Sequence, residues 1–148
     1  MDDKEKIVEQ IDSYYNSWFE MNSIYHIWAK NHGMQDTTLF VLYVINNTVP
    51  YCTQSQICNK LLLPKQTVSQ ILSGLEKEGH ILKELNTKDR RNKIIRFTEK
   101  GTHFATSILE ELKLAEIECF NQIPQEQLRT IVESFKVLSN LLNKSLIK

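Results

Sequence analysis

From Asp89 to Gly101 the chain reads DRRNKIIRFTEKG, and upstream of it a segment from Leu63 reads LPKQTVSQIL. In the first segment Lys88, Arg90, Arg91 and Lys93 surround a single acid, Asp89, between two short β-type runs. Arginines exposed at such a tip can enter the narrowed minor groove of an A·T stretch. Asp89 would be repelled by phosphate, so its expected role is to brace one of those arginines. In the second segment Lys65, Gln66, Thr67, Ser69 and Gln70 cluster at the start of a helix. A Gln amide can pair with adenine N6 and N7, a Lys can reach guanine, and Thr or Ser can meet a base or a phosphate. Free N–H groups at the helix start add a phosphate site. Thr53 and Gln54, opening the short helix before it, join the candidate set. Each feature alone also fits a solvated helix face or a charged, solubilising turn. Together they point to double-stranded DNA, read by a helix in the major groove and by a basic hairpin beside it.

Net charge is zero, which would argue against a nucleic-acid binder if charge were evenly spread. It is not. Residues 60–101 carry ten Lys/Arg against five Asp/Glu, residues 1–59 three against seven, and residues 102–148 five against six. Positive charge is concentrated where the candidate residues lie, and a local patch is enough to displace counterions from phosphates.

The elements that must position these residues follow from periodicity and breakers. Ile7, Ile11, Tyr14, Trp18, Met21, Tyr25 and Trp28 recur at alternating steps of four and three, a seam along one helix that ends at Gly33. Asp36 reads as the cap of a second helix, Thr37 to about Ile45. Thr53 and Gln56 fit a capping box for a short helix to about Lys60. Leu61-Leu62-Leu63 is expected to turn within the core. Pro64 suits the first position of the helix that runs to Glu78 and stops at Gly79. Residues 81–85 and 94–97 read as two strands joined by a loop over 86–92. Thr98 caps a long helix to about Gln122. Pro124 starts the last one, with Phe135, Leu138, Leu142 and Leu146 among its apolar positions.

These segments resemble the multiple-antibiotic-resistance regulator (MarR) family of winged helix-turn-helix transcription factors. The run from Asp89 to Gly101 is similar to that family's wing and following helix start. Its D-x-R pair falls on Asp89 and Arg91, and its T-x-x-G on Thr98 and Gly101. LPKQTVS from Leu63 and LEKEG from Leu75 resemble the two ends of its recognition helix. The resemblance implies a mainly α fold with a two-stranded β wing, flanked by long N- and C-terminal dimerisation helices. It implies an obligate homodimer on a pseudo-palindromic operator, with Arg91 as the minor-groove arginine and Asp89 its partner. It also implies ligand-responsive regulation, usually repression relieved by a small molecule. The expected division is 1–35 for the N-terminal dimerisation helix, 36–98 for the DNA-binding lobe and 99–148 for the C-terminal dimerisation helices. Ile7, Ile11, Tyr14 and Trp18 would meet Phe135, Leu138, Leu142 and Leu146 across the dimer interface.

A small aromatic or amphipathic effector could sit among Trp18, Tyr25, Trp28 and Tyr43, although such side chains also serve as ordinary core or interface. Cys52, Cys58 and Cys119 show no CxxC spacing and read as buried structural thiols, not as a disulfide framework or redox sensor. His26, His32, His80 and His103 lack a metal-ligand spacing, and neither a metal nor a cofactor is expected. No nucleotide, hydrolase or zinc-protease motif is present, so an enzyme is not expected. The competing class is a winged helix that binds protein, or a nonspecific architectural DNA binder. MDDKEK is unlike a signal peptide, and no apolar run approaches the roughly 20 residues that span a bilayer, so a cytoplasmic location is expected.

Overall fold

The computed structural model describes all 148 residues. It contains six helices and a three-stranded sheet: α1 Asp3–Asn31, α2 Asp36–Asn47, β1 Cys52–Thr53, α3 Gln54–Leu61, α4 Lys65–Lys77, β2 Ile81–Glu84, β3 Ile94–Phe97, α5 Glu99–Asn121 and α6 Gln125–Leu146. This is a mainly α winged helix-turn-helix. No helix is long and apolar enough to cross a membrane. The chain forms two compact units, residues 1–108 and 109–148.

The first unit is built around α2, α3, α4 and the sheet. Leu39, Leu42, Ile57, Val68, Leu72, Ile81 and Ile95 are fully enclosed, one or two from each element. Burying a side chain of this size contributes about 1.5–3 kcal/mol, so each of these seven is a substantial contributor to the lobe's stability. Local chemistry sets the element ends. Asp2 and Glu5 form a reciprocal capping box at the start of α1, with N–H to carboxylate distances of 2.7 and 2.9 Å. Thr53 and Gln56 do the same for α3, as their spacing predicts. Gly33 and Gly79 follow α1 and α4 with φ of +78° and +82°, the left-handed backbone that glycine adopts without a Cβ clash.

Asp36 does not cap α2: it is the first residue of the helix, whose N-cap is Gln35 with no side-chain cap bond. Strands β2 and β3 form the two-stranded wing, and β1, unforeseen from sequence, extends it to a three-stranded sheet in the order β1-β3-β2. Cys52 pairs with Ile95 and Thr53 with Ile94, while Ile81 to Glu84 pair antiparallel with Phe97 to Ile94. A two-residue strand is too short to show alternation, so its pattern is invisible beside the stronger capping box. Leu61-Leu62-Leu63 does not turn inside the core either: Leu62 is 87% exposed and sits at φ 54°, ψ 40° as the C-cap of α3. Its left-handed backbone lets its N–H and that of Leu63 both reach the Cys58 carbonyl. Leucine in that region carries a steric cost of roughly 1–2 kcal/mol.

The junction of β3 and α5 is closely knit. The Thr98 hydroxyl donates to the Gly79 carbonyl and accepts the Gly101 N–H at 2.9 Å, and the Thr98 N–H reaches the His80 carbonyl at 3.0 Å. Gly101 lies so close to the His80 backbone that no Cβ could be accommodated. That contact accounts for the T-x-x-G spacing. His80 itself is buried, stacked on Phe104 at 4.2 Å between ring centroids.

In the second unit α6 carries no buried residue, and Phe135, Leu138, Leu141 and Leu146 are exposed along it.

Candidate nucleic-acid interface

Amphipathicity positions the candidate face of α4. Val68, Leu72 and Leu75 are buried, which turns Lys65, Gln66, Ser69, Gln70 and Ser73 outward along one shallow hollow. Thr67 is half-buried at the edge of this face. Ser73 was not singled out from sequence, although it continues the 66, 69/70, 73 repeat. Its hydroxyl accepts from Lys83 Nζ at 3.4 Å, and the same ammonium lies 3.9 Å from Glu76. Those contacts link α4 to β2.

The wing is shaped by its own side chains. Asn86 is buried, and its amide oxygen accepts the Lys88 N–H at 3.1 Å. The Asp89 carboxylate accepts the Arg91 N–H at 3.1 Å. Asp89 therefore braces Arg91 through the backbone, not through the guanidinium, and sets the turn from which Lys88, Arg90 and Arg91 project into solvent. Lower in the hairpin Arg96 Nε donates to Glu84 at 2.8 Å, and the guanidinium lies 5.9 Å from the Tyr51 ring centre.

Two hydrogen bonds fasten the wing to the start of α3. The Ser55 N–H reaches the Asn92 side chain at 3.0 Å, and the Gln54 N–H reaches the Lys93 carbonyl at 3.0 Å. Gln54, Ser55, Lys65, Arg91 and Asn92 consequently share one hollow of about 280 Å³, with Cys58 and Asp89 at its wall. The starts of α3 and α4 and the wing thus converge. Thr53 departs from that expectation. It is buried, and its hydroxyl is engaged with Gln56 and Ser55, so it is a capping residue and leaves the surface to Gln54 and Ser55. Lys93 is half-buried at the wing's base. Ser55 and Asn92 are the participants that sequence missed, because their partnership spans 37 positions.

The aromatic candidates have separate neighbours within the chain. Trp18 stacks with Tyr14, Tyr15 and Phe19 on the first half of α1; Tyr25 packs on Phe40; Trp28 stacks on His32 at 3.8 Å. Trp18 and Trp28 are ten residues apart on one helix, about 15 Å along its axis. Tyr43 instead lines a hollow between α2 and α3 that includes none of the other three. The thiols also differ from expectation: Cys52 is buried, Cys58 half-buried and Cys119 exposed. Burial pushes the Cys52 thiol up from 9.0 to about 11, against a smaller lowering by a Thr48 hydrogen bond. His26 Nδ1 lies 3.5 Å from Asp36.

Comparison with known proteins agrees with this geometry. Residues 32–92 match the sequence model of the MarR family. The HTH-type transcriptional regulator YkoM of Bacillus subtilis is 30% identical over 105 residues, covering 70% of this chain and 68% of that one. The HTH-type transcriptional regulator SarZ of Staphylococcus epidermidis is 26% identical over 135 residues, covering 91% and 87%. In structure, the chain is similar to NMB1585, a MarR family regulator from Neisseria meningitidis, with a TM-score of 0.81, 23% identity and coverage of 93% and 96%. The chain belongs to the MarR family, and it is a DNA-binding transcriptional regulator of the winged helix-turn-helix class.

Proposed function

We propose that the protein is a repressor that binds a pseudo-palindromic operator as a homodimer and is released by a small-molecule effector. The observation that carries the DNA-contact assignment is the convergence of Lys65, Gln54 and Arg91 on one hollow, beside the outward row of α4. In this reading the row from Lys65 to Gln70 lies in the major groove, and Arg91 and Arg90 reach the adjacent minor groove. Lys88 and Lys93 supply phosphate contacts. The lobe over residues 36–98 reads DNA, while residues 1–35 and 99–148 hold two copies together.

Exposed apolar side chains support the dimer. Ile7, Ile11 and Trp18 on α1, and Phe135, Leu138 and Leu146 on α6, are open to solvent in the single chain, with Tyr14 and Leu142 partly so. Val8, Tyr15 and Phe19 widen the apolar face of α1 beyond a single seam. So much exposed aromatic and aliphatic surface is what an obligate two-fold interface covers.

The test is a binding titration of a duplex across a salt series, comparing wild type with Arg91→Ala. Wild type should lose affinity steeply as salt rises, and the variant should bind more weakly with a slope shallower by about one. Equal binding and equal slope would remove Arg91 from the interface.

A further inference from the structure

Leu62 is the most exposed of the chain's large apolar side chains, at 87%, and the one residue other than glycine with a positive φ, 54°. Both features are unfavourable. A leucine gains by leaving water, and the left-handed backbone crowds its Cβ against the following carbonyl oxygen. Glycine or asparagine at this position would relieve both. The leucines on either side behave differently, since Leu61 and Leu63 are half-buried. The end of α3 does not call for a leucine either. Its cap rests on main-chain bonds, with the N–H groups of Leu62 and Leu63 on the Cys58 carbonyl. Backbone strain of this kind gathers at sites of ligand contact.

The surroundings of Leu62 indicate what meets it. Cys58, four residues earlier, and Lys65, three later, both line the hollow shared with Arg91. Lys65 also opens the outward row of α4, so the turn over 61–64 enters that helix at the residue common to both hollows. The turn itself is uncharged and lies between two cations, Lys60 and Lys65. An apolar tip between two ammoniums fits a surface of phosphates with an apolar group set among them. The major groove of DNA offers one such group on its base edges, the 5-methyl of thymine. We infer that Leu62 is a specificity-determining residue that reads a thymine methyl beside the bases met by α4. This rests on the placement of α4 in the major groove. The left-handed cap of α3 then turns the side chain out of the core and towards the base edges, and the cost of holding it there is offset when DNA is bound.

The experiment uses the full chain and a duplex enriched from a randomised pool, with a series in which each thymine in turn is replaced by uracil, which lacks only the methyl. Wild type should lose about fourfold in affinity at one thymine per half-site, the worth of one buried methyl. Leu62→Ala should bind the parent duplex about fourfold or more weakly, and should be indifferent to uracil at that same position. Leu62→Asn suits the left-handed backbone. It should therefore melt within about 2 °C of wild type or above it, while binding the parent duplex as weakly as Leu62→Ala. A Leu62→Ala protein with the uracil profile of wild type, or with undiminished affinity for the parent duplex, would overturn the methyl contact. A lower melting temperature for Leu62→Asn would also overturn it, because the leucine would then serve the fold. Gln70→Ala on base-pair variants of the same duplex separates two failures. A loss at particular base pairs with Leu62 silent removes Leu62 alone, whereas no such loss removes the groove placement of α4 and this contact with it. A pool that enriched no duplex would remove both.

Discussion

Gly101→Ala places a methyl group against the one backbone surface that cannot give way cheaply. The obstacle is the His80 carbonyl, which also accepts the Thr98 N–H at 3.0 Å. Making room for the Cβ must shift the first turn of α5 from His80, and the Thr98 contacts with Gly79 and His80 stretch together. Overpacking of this kind costs about 1–3 kcal/mol, and leaving a buried backbone group unpaired costs a further 1–3 or so. A total near 2–6 kcal/mol is a large share of the roughly 5–15 kcal/mol that holds a protein folded. At about 2–4 °C per kcal/mol for a chain of this size, the melting temperature should fall by roughly 4–24 °C. Calorimetry at fixed protein concentration is the assay, with Gly74→Ala as the internal control. Gly74 sits within α4 with open space where its Cβ would go, so alanine there should stabilise by about 0.5–1 kcal/mol. If Gly101→Ala melted within about 2 °C of wild type, the close approach of α5 to His80 would be refuted.

Other consequences can be checked separately. Gln66→Ala or Gln70→Ala should cost on the order of 1–3 kcal/mol at particular base pairs, seen by comparing single-base operator variants; an equal loss on every sequence would make those residues phosphate contacts. Asn92→Ala removes the acceptor for the Ser55 N–H and should weaken operator binding severalfold with little change in melting, since water can reach this exposed bond. Unchanged affinity would show that the wing does not need that fastening. With its thiol raised to about 11 by burial, Cys52 should resist thiol reagents at pH 8 in the folded protein and react once the chain is unfolded, as mass mapping of labelled peptides would show. Because the folded state disfavours the Cys52 thiolate, its contribution to stability is complete below about pH 9. That contribution is lost as pH rises towards 11, so chemical denaturation midpoints should fall more steeply across this window in wild type than in Cys52→Ala.

Features written in short-range chemistry were legible in the sequence. The Thr53/Gln56 box, the glycines after α1 and α4 and the apolar stripe of α4 each depend on residues within a turn or two. The candidate face followed, because burying Val68, Leu72 and Leu75 leaves Lys65, Gln66, Ser69 and Gln70 outside. What escaped depends on distant partners. β1 exists only through its pairing with Ile94 and Ile95, and Ser55 meets Asn92 only once the wing folds back. Leu62 was misplaced for a related reason: three consecutive leucines suggest burial, yet the end of α3 needs a left-handed residue and turns the middle one outward. The aromatic candidates have separate neighbours because a shared seam on α1 spreads Trp18 and Trp28 along the helix.

Selection of bound sequences from a pool of randomised duplexes at near-physiological salt bears on DNA reading before any other measurement. Two copies, each presenting the Lys65–Gln70 row and an Arg91 wing, should enrich an inverted repeat. Its half-site centres should lie about one helical turn, or a multiple of it, apart. A Gln70→Ala protein put through the same selection should relax the preference at specific positions. Enrichment of no motif, with binding that depends on salt alone, would contradict sequence-specific operator recognition by this face.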